Sequence, residues 1–205
     1  NGSFQLFDLS YKLKFVYEGK DEYSGEEFII DRSGVTFNGQ PIHNTICDRI
    51  VENWTDGLPI DNLVNFLRKL LNNPYDTVVQ NLYTYLEKYS LAINEEGNIV
   101  GIKAVNPNLS SIFSPSFQYP TSGVVTEPLH LLEKNPLAGC GRGLYFGFHD
   151  FVFSYGHSNS QVLALEVDPS HVIGIPQDSG YQKMRAHTLK VLGPIGTVEE
   201  LKGKF

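Results

Sequence analysis

Sustained helical periodicity is gathered into one block, residues 44–90, with strand-like segments before and after it. That segregation points to an α+β architecture rather than alternating strand-helix units. In the middle of the block, Leu63, Phe66, Leu67, Leu70 and Leu71 recur at i, i+3, i+4, i+7 and i+8, a buried helical stripe ended by Asn72-Asn73-Pro74. Asn44 or Thr45 is the expected cap of a preceding helix through Ile46, Ile50 and Val51 to Trp54, stopped by Gly57 and Pro59. Asp76 is the expected cap of a third, with Val79, Leu82, Tyr83, Leu86 and Tyr89 along one side, and tyrosines at such spacing read as core.

Before the block, Tyr11 to Tyr17 alternates at period two, Glu27 to Ile30 is a short apolar strand, and Val35-Thr36-Phe37 runs into the hairpin dipeptide Asn38-Gly39. After it, strands over Leu91 to Ile93 and Ile99 to Val105 flank the turn Glu95 to Asn98. Prolines punctuate residues 106–138, an expected ordered loop of the kind that covers a site or moves. Leu144 to Phe146 suits a strand, and Asp150 is placed to cap a helical turn from Phe151 to Tyr155. Further strands are expected over Gln161 to Val167, Val172 to Pro176 and Ala186 to Leu192, with a short final helix from Val198 to Lys204 after Gly193-Pro194-Ile195-Gly196. The expected fold is α+β: an N-terminal β meander and a small three-helix subdomain, then a mixed, mainly antiparallel β-rich C-terminal region, divided as residues 1–92 and 93–205.

Sixteen basic against 23 acidic residues leave a net charge of −7, which disfavours general adhesion to nucleic acid or anionic membranes. No apolar run approaches the roughly 20 residues of a bilayer span, so a soluble chain without a signal peptide or transmembrane segment is expected. Asn1-Gly2-Ser3 reads as a tag remnant, which leaves a removed targeting segment open. Cys47 and Cys140 stand far apart in dissimilar contexts and suit free thiols in a reducing cytosol.

Residues that carry chemistry crowd between Gly139 and Lys190. The phosphate loop, the Gly-x-Ser-x-Gly elbow, the His-Glu-x-x-His helix and paired Cys-x-x-Cys arms are all missing from the sequence. His130, His149, His157 and His171 occur within about forty residues, but His149 and His157 lack companion carboxylates at ligand spacing, so no metal site and no cofactor is expected. Cys140 in a flexible loop beside Arg142 is a conceivable thiolate, although most lone cysteines are inert. The glycines of Gly139 to Gly143 either form an anion nest with Arg142 or allow a tight entry into the next strand. Lys183 and Arg185 alternate, so both point to one face of an extended segment, and Lys103 sits between apolar neighbours in another strand. Either these cations pair across the sheet with Glu166 or Asp168, or they converge on a phosphate-bearing or carboxylate ligand. The expected ligand-binding set is Lys103, Arg142, Tyr145, Lys183 and Arg185, with no catalytic residue assigned.

Residues 37–192 resemble the phage rIIB-like family, protectors from prophage-induced early lysis. The resemblance is carried by Val35-Thr36-Phe37-Asn38-Gly39, Leu63-Val64-Asn65-Phe66-Leu67, Asn72-Asn73-Pro74, Asn81-Leu82-Tyr83 and Leu86-Glu87-Lys88. It continues through Asn94 to Gly97, Lys103-Ala104-Val105, Cys140, Gly143-Leu144-Tyr145, Tyr155-Gly156, Val167-Asp168-Pro169, Val172, Ile175-Pro176 and Lys183-Met184-Arg185. The chain departs from the family at Tyr145, where relatives usually carry histidine, and at His187, where many carry cysteine. The resemblance implies a phage accessory protein in the cytoplasm of the infected bacterium, connected with host exclusion, counter-defence or lysis timing, with a host or phage protein as a conceivable partner. Gly141 to Phe146 also looks like the Gly-x-Gly-Ile/Leu-Tyr-Phe segment of poly(ADP-ribose) polymerases. That likeness implies an alternative, an ADP-ribosyltransferase-like enzyme using NAD, with Tyr145 stacking the nicotinamide and Glu199 or Glu200 as loose candidates for its glutamate. A third alternative is a structural, oligomeric or virion-associated interaction protein.

Overall fold

The computed structural model describes residues 3–7, 12–16, 27–31 and 33–204. Strands β1 (Ser3–Phe7), β2 (Lys12–Val16), β3 (Glu27–Asp31), β4 (Gly34–Phe37) and β5 (Gln40–Ile42) form an antiparallel meander in chain order. Asn1, Gly2, Tyr11 and Tyr17 lie outside the described residues. Asn38 and Gly39 have φ of 48° and 77°, the two left-handed residues that a tight hairpin requires. Phe28, Ile30 and Val35 are buried, and β4 packs on the first helix.

The helical block forms α1 (Thr45–Thr55), α2 (Asp61–Leu71) and α3 (Asp76–Lys88). Asn44 caps α1, its side chain accepting from the Cys47 amide at 3.2 Å. Asp76 is not the cap expected of it: α3 starts at Asp76 itself, and Asn73 Oδ1 accepts from the Tyr75 amide at 2.9 Å just before it. Asp76 occupies the first turn instead, where its charge faces the positive end of the helix dipole. Leu63, Phe66, Leu67 and Leu70 of α2 are all buried, and in α3 Val78, rather than its neighbour Val79, goes fully inside.

The second sheet has eight antiparallel strands in the order β11-β12-β9-β7-β10-β13-β8, with β6 (Ala92–Ile93) hairpinned onto β7 (Ile99–Val105). Its remaining strands are β8 (Gly123–Thr126), β9 (Leu144–Gly147), β10 (Gln161–Val167), β11 (Val172–Gly174), β12 (Lys183–Ala186) and β13 (Thr188–Thr197). The expected strand over Ala186 to Leu192 is thus two strands broken at His187, and β13 runs on through Gly193 to Gly196. The sheet tolerates Pro194 there because register shifts on β10 fall on both sides of its partner Leu163. Helix α4 (His149–Tyr155) begins at His149 with Phe148 in the cap position, so Asp150 lies in its first turn and is not the cap. Helix α5 (Val198–Leu201) closes with a capping box between Thr197 and Glu200.

Alternation along β10 divides the core. Leu163, Leu165 and Val167 belong to the large cluster that also contains Phe28, Leu67 and Leu82, while Val162 joins Ala104, Val152, Phe153, Val198 and Leu201 under α4 and α5. One cluster of buried side chains therefore runs across residue 92, the expected divide. Polar pins reinforce it: the buried Asn73 amide donates to the Pro169 and Val172 carbonyls at 2.8 and 2.7 Å. The Tyr85 ring stacks on Tyr181 with centroids 4.3 Å apart, and Tyr89 Oη donates to the Gly180 carbonyl at 2.6 Å.

Candidate functional site

The site arises where the large sheet comes apart. Strand β7 is fully paired with β10, but with β9 it shares the single position Ile102 to Gly147. Beyond that pair the ladder stops, and Lys103, Ala104, Leu144, Tyr145 and Phe146 become walls of a cleft of about 730 Å³. Lys103 bridges the opening, donating from Nζ to the Tyr145 carbonyl at 2.8 Å. The proline-rich loop supplies Ile112, Phe113, Phe117 and Tyr119 to the same cleft, and α4 supplies Phe151, Val152 and Tyr155. This is a volume suited to a small-molecule ligand, with aromatic side chains in its walls beside the charged groups Lys103, Glu127, Arg142 and Lys183 and the hydroxyls of Ser111, Ser114 and Ser116.

Lys103, Arg142, Tyr145 and Lys183 all line the cleft, whereas Arg185 does not. Lys103 Nζ lies 5.2 Å from the centre of the Tyr119 ring, and among the described residues no carboxylate pairs with it. Burial pulls its pKa down from 10.5 to about 8, because the charged form has lost water without gaining a counter-ion. Lys183 is held by Asp178 at 2.8 Å and lies 5.4 Å from the Tyr145 ring centre and 5.6 Å from that of Phe151. Arg142 Nε donates to Glu127 at 2.8 Å. The carboxylates expected to pair with the strand cations serve others: Glu166 takes Lys190 at 2.9 Å and Asp168 lies 3.7 Å from Lys69.

Arg185 does share a face with Lys183, as its period-two spacing requires, yet it is fully buried behind Tyr145. Its two terminal nitrogens donate to the carbonyls of Ala138, Glu133 and Asn135 and to Tyr145 Oη, the last at 3.2 Å. It fastens the loop that precedes β9. Gly143 permits this: a Cβ there would stand 2.5 Å from the Arg185 stem. The neighbouring glycines are flanked by acid rather than prepared for an anion, since Gly139 abuts the Asp178 carboxylate and Gly141 the Glu133 side chain. Tyr145 Oη donates to the Gly141 carbonyl at 3.0 Å, which fixes the ring against the loop.

Among the described residues, no group of three or more His, Cys, Asp or Glu side chains is placed to hold a metal. Nor is any helix long and apolar enough to cross a membrane. Cys47 is buried, its thiol pushed up to about 12, while Cys140 is exposed at the cleft. Neither Glu199 nor Glu200 lines the cleft, where the carboxylate in the wall is Glu127. Sequence reasoning missed Glu127 and Asp178, the acids that neutralise two of the cleft cations, and the aromatic wall from the proline-rich loop. The alternation of prolines with Phe113, Phe117 and Tyr119 was the signal available for the latter.

A family model described as bacteriophage T4 protein rIIB matches residues 24–199, a longer stretch than the sequence motifs alone suggest. Protein rIIB of Enterobacteria phage T4 is 26% identical over 188 residues, covering 92% of this chain. The chain spans 60% of the length of that relative. No solved structure matches it.

Proposed function

This chain belongs to the family of bacteriophage T4 protein rIIB, and on that premise we propose that it is a phage accessory protein acting in the infected bacterial cell. Its role is counter-defence or host interaction in the cytoplasm, exercised by holding an anionic, nucleotide-like ligand in the aromatic cleft without turning it over. The observation that carries the ligand reading is the Lys103 ammonium, which lines the cleft with no carboxylate beside it among the described residues. A buried cation without a counter-ion is costly, and an anion supplied from outside relieves that cost. Binding without chemistry is favoured by the commitments of the nearby acids: Glu127 is bonded to Arg142, and Asp178 to Lys183.

In this reading Lys103 meets the anion, Lys183 and Arg142 bound its approach, Tyr145 presents its ring, and Arg185 positions Tyr145 from behind. Thermal-shift and calorimetric screening against nucleotides, cyclic oligonucleotides and NAD derivatives tests it. The expected result is saturable binding that Lys103→Met abolishes and Arg142→Ala weakens. A folded protein that binds none of these, or binds them equally after Lys103→Met, overturns the ligand reading. Cleavage of labelled NAD would instead establish the transferase alternative.

A further inference from the structure

Of the three cations that line the cleft, Lys103 alone has no carboxylate partner among the described residues. Lys183 is matched by Asp178 at 2.8 Å and Arg142 by Glu127 at 2.8 Å, so with both acids ionised the lining cations and their partners leave one positive charge, on Lys103. Arg185, also without a carboxylate among the described residues, is enclosed by carbonyls behind Tyr145 and does not line the cleft. Lys103 itself makes one hydrogen bond, to a neutral carbonyl, which leaves donor capacity facing the cleft. Aromatic rings stand among the walls around it. Phe151 and Tyr155 lie nearly parallel, 14° apart, and Phe113, in the proline-rich loop that lines the cleft, is 82% exposed.

Resting on the reading of this cleft as an anion site, we infer that its ligand is a planar aromatic body bearing one negative charge, an aromatic carboxylate or a phosphodiester, and that polyphosphates are excluded. One ammonium compensates one anionic oxygen group. Each additional phosphate charge would enter a space where the charges of the other two cations are already balanced by Glu127 and Asp178, and an uncompensated charge in such a place is disfavoured. The rings in the wall provide stacking area for a planar ligand, and Phe113 adds an exposed ring beside them. Lys103 loses its proton above about 8 in the empty cleft, so affinity falls in alkaline buffer as the charge disappears.

Calorimetry on the full chain separates the possibilities, with five probes: indole acetate, cyclic adenosine monophosphate, their neutral counterparts indole acetamide and adenosine, and ATP. At neutral pH at least one monoanion is expected to bind about tenfold or more tighter than its neutral counterpart and than ATP, with that preference lost in Lys103→Met. Which monoanion binds distinguishes carboxylate from phosphodiester. ATP binding as tightly as either monoanion, with dependence on Lys103, overturns the single-charge inference and leaves the anion site standing. Failure of every anion to bind, or equal binding of the neutral probes, overturns both. Should Lys103→Met fail to fold, the comparison of wild-type affinities at neutral and alkaline pH carries the same decision, an unchanged preference for the monoanion counting against Lys103.

Discussion

Lys103 is a lysine that the fold holds at a disadvantage. Its pKa of about 8 lies below the ordinary 10.5, so between those values the unfolded chain holds more protons than the native one, and stability rises with pH across that window. Below about 8 both states are protonated and the full penalty of burying the charge is present. Lys103→Met is therefore expected to raise stability at neutral pH by on the order of 1–3 kcal/mol, an advantage that shrinks as pH approaches 10.5, measured by urea unfolding across that range. Arg185 predicts the opposite. Replacing it by Met strips buried carbonyls of Glu133, Asn135 and Ala138 of their donor, and a loss of about 3 kcal/mol is expected, while Arg142→Ala, which leaves the buried Glu127 carboxylate without its partner, should cost on the order of 1–3 kcal/mol. The two thiols separate just as clearly: a maleimide should modify Cys140 rapidly and leave Cys47 unreacted until the protein unfolds. Equal labelling in native buffer would contradict the burial of Cys47.

At the scale of elements, the decisive event is the parting of β7 and β9. A fully zipped pair would leave no cleft, whereas on its other side β7 is fully paired with β10 and tied further by side chains. Glu166 on β10 is the main knot, accepting from Asn94 at 2.8 Å and Asn98 at 2.7 Å in the β6–β7 turn and from Lys190 of β13 at 2.9 Å. These bonds, led by the one from Lys190, draw its pKa down from 4.5 to about 2. The stability it contributes is complete above 4.5 and is lost as pH falls towards 2. Glu166→Gln should cost about 1–2 kcal/mol at neutral pH and nothing further in acid, so wild type and variant converge when unfolding is followed down to low pH. The same turn shows why a glycine stands at residue 97: a Cβ there would meet the Phe66 amide of α2 at 2.3 Å.

Across the whole molecule, helices and large sheet share one apolar cluster, fastened by Asn73 between α2 and the β10–β11 connection. Cooperative unfolding follows from such continuity. Trp54, the one tryptophan of the chain, sits in α1, and Cys140 lies across the molecule beside the cleft. Fluorescence from Trp54 and from a dye on Cys140 is expected to report coincident melts, and two separated transitions would divide the chain into independent units. Asn73→Ala should lower both midpoints together, by about 2 kcal/mol, since it leaves two buried carbonyls without a donor.

The order of elements was legible in the chain because it depends on neighbours a few residues apart. Period 3.6 marked the three helices, the run from Gln161 to Val167 stopped by Asp168-Pro169 marked β10 to the residue, and Asn38-Gly39 marked its hairpin. Period two also put Lys183 and Arg185 on one face, but it carried no information on what would meet them there. Tertiary packing decided that Arg185 would be enclosed by loop carbonyls, that Asp178 and Glu127 would neutralise Lys183 and Arg142, and that Glu166 and Asp168 would be engaged elsewhere. It also placed Lys103 at the break between β7 and β9. Local pattern fixes which way a side chain points, while the charge that remains at a site depends on partners brought together from distant parts of the chain.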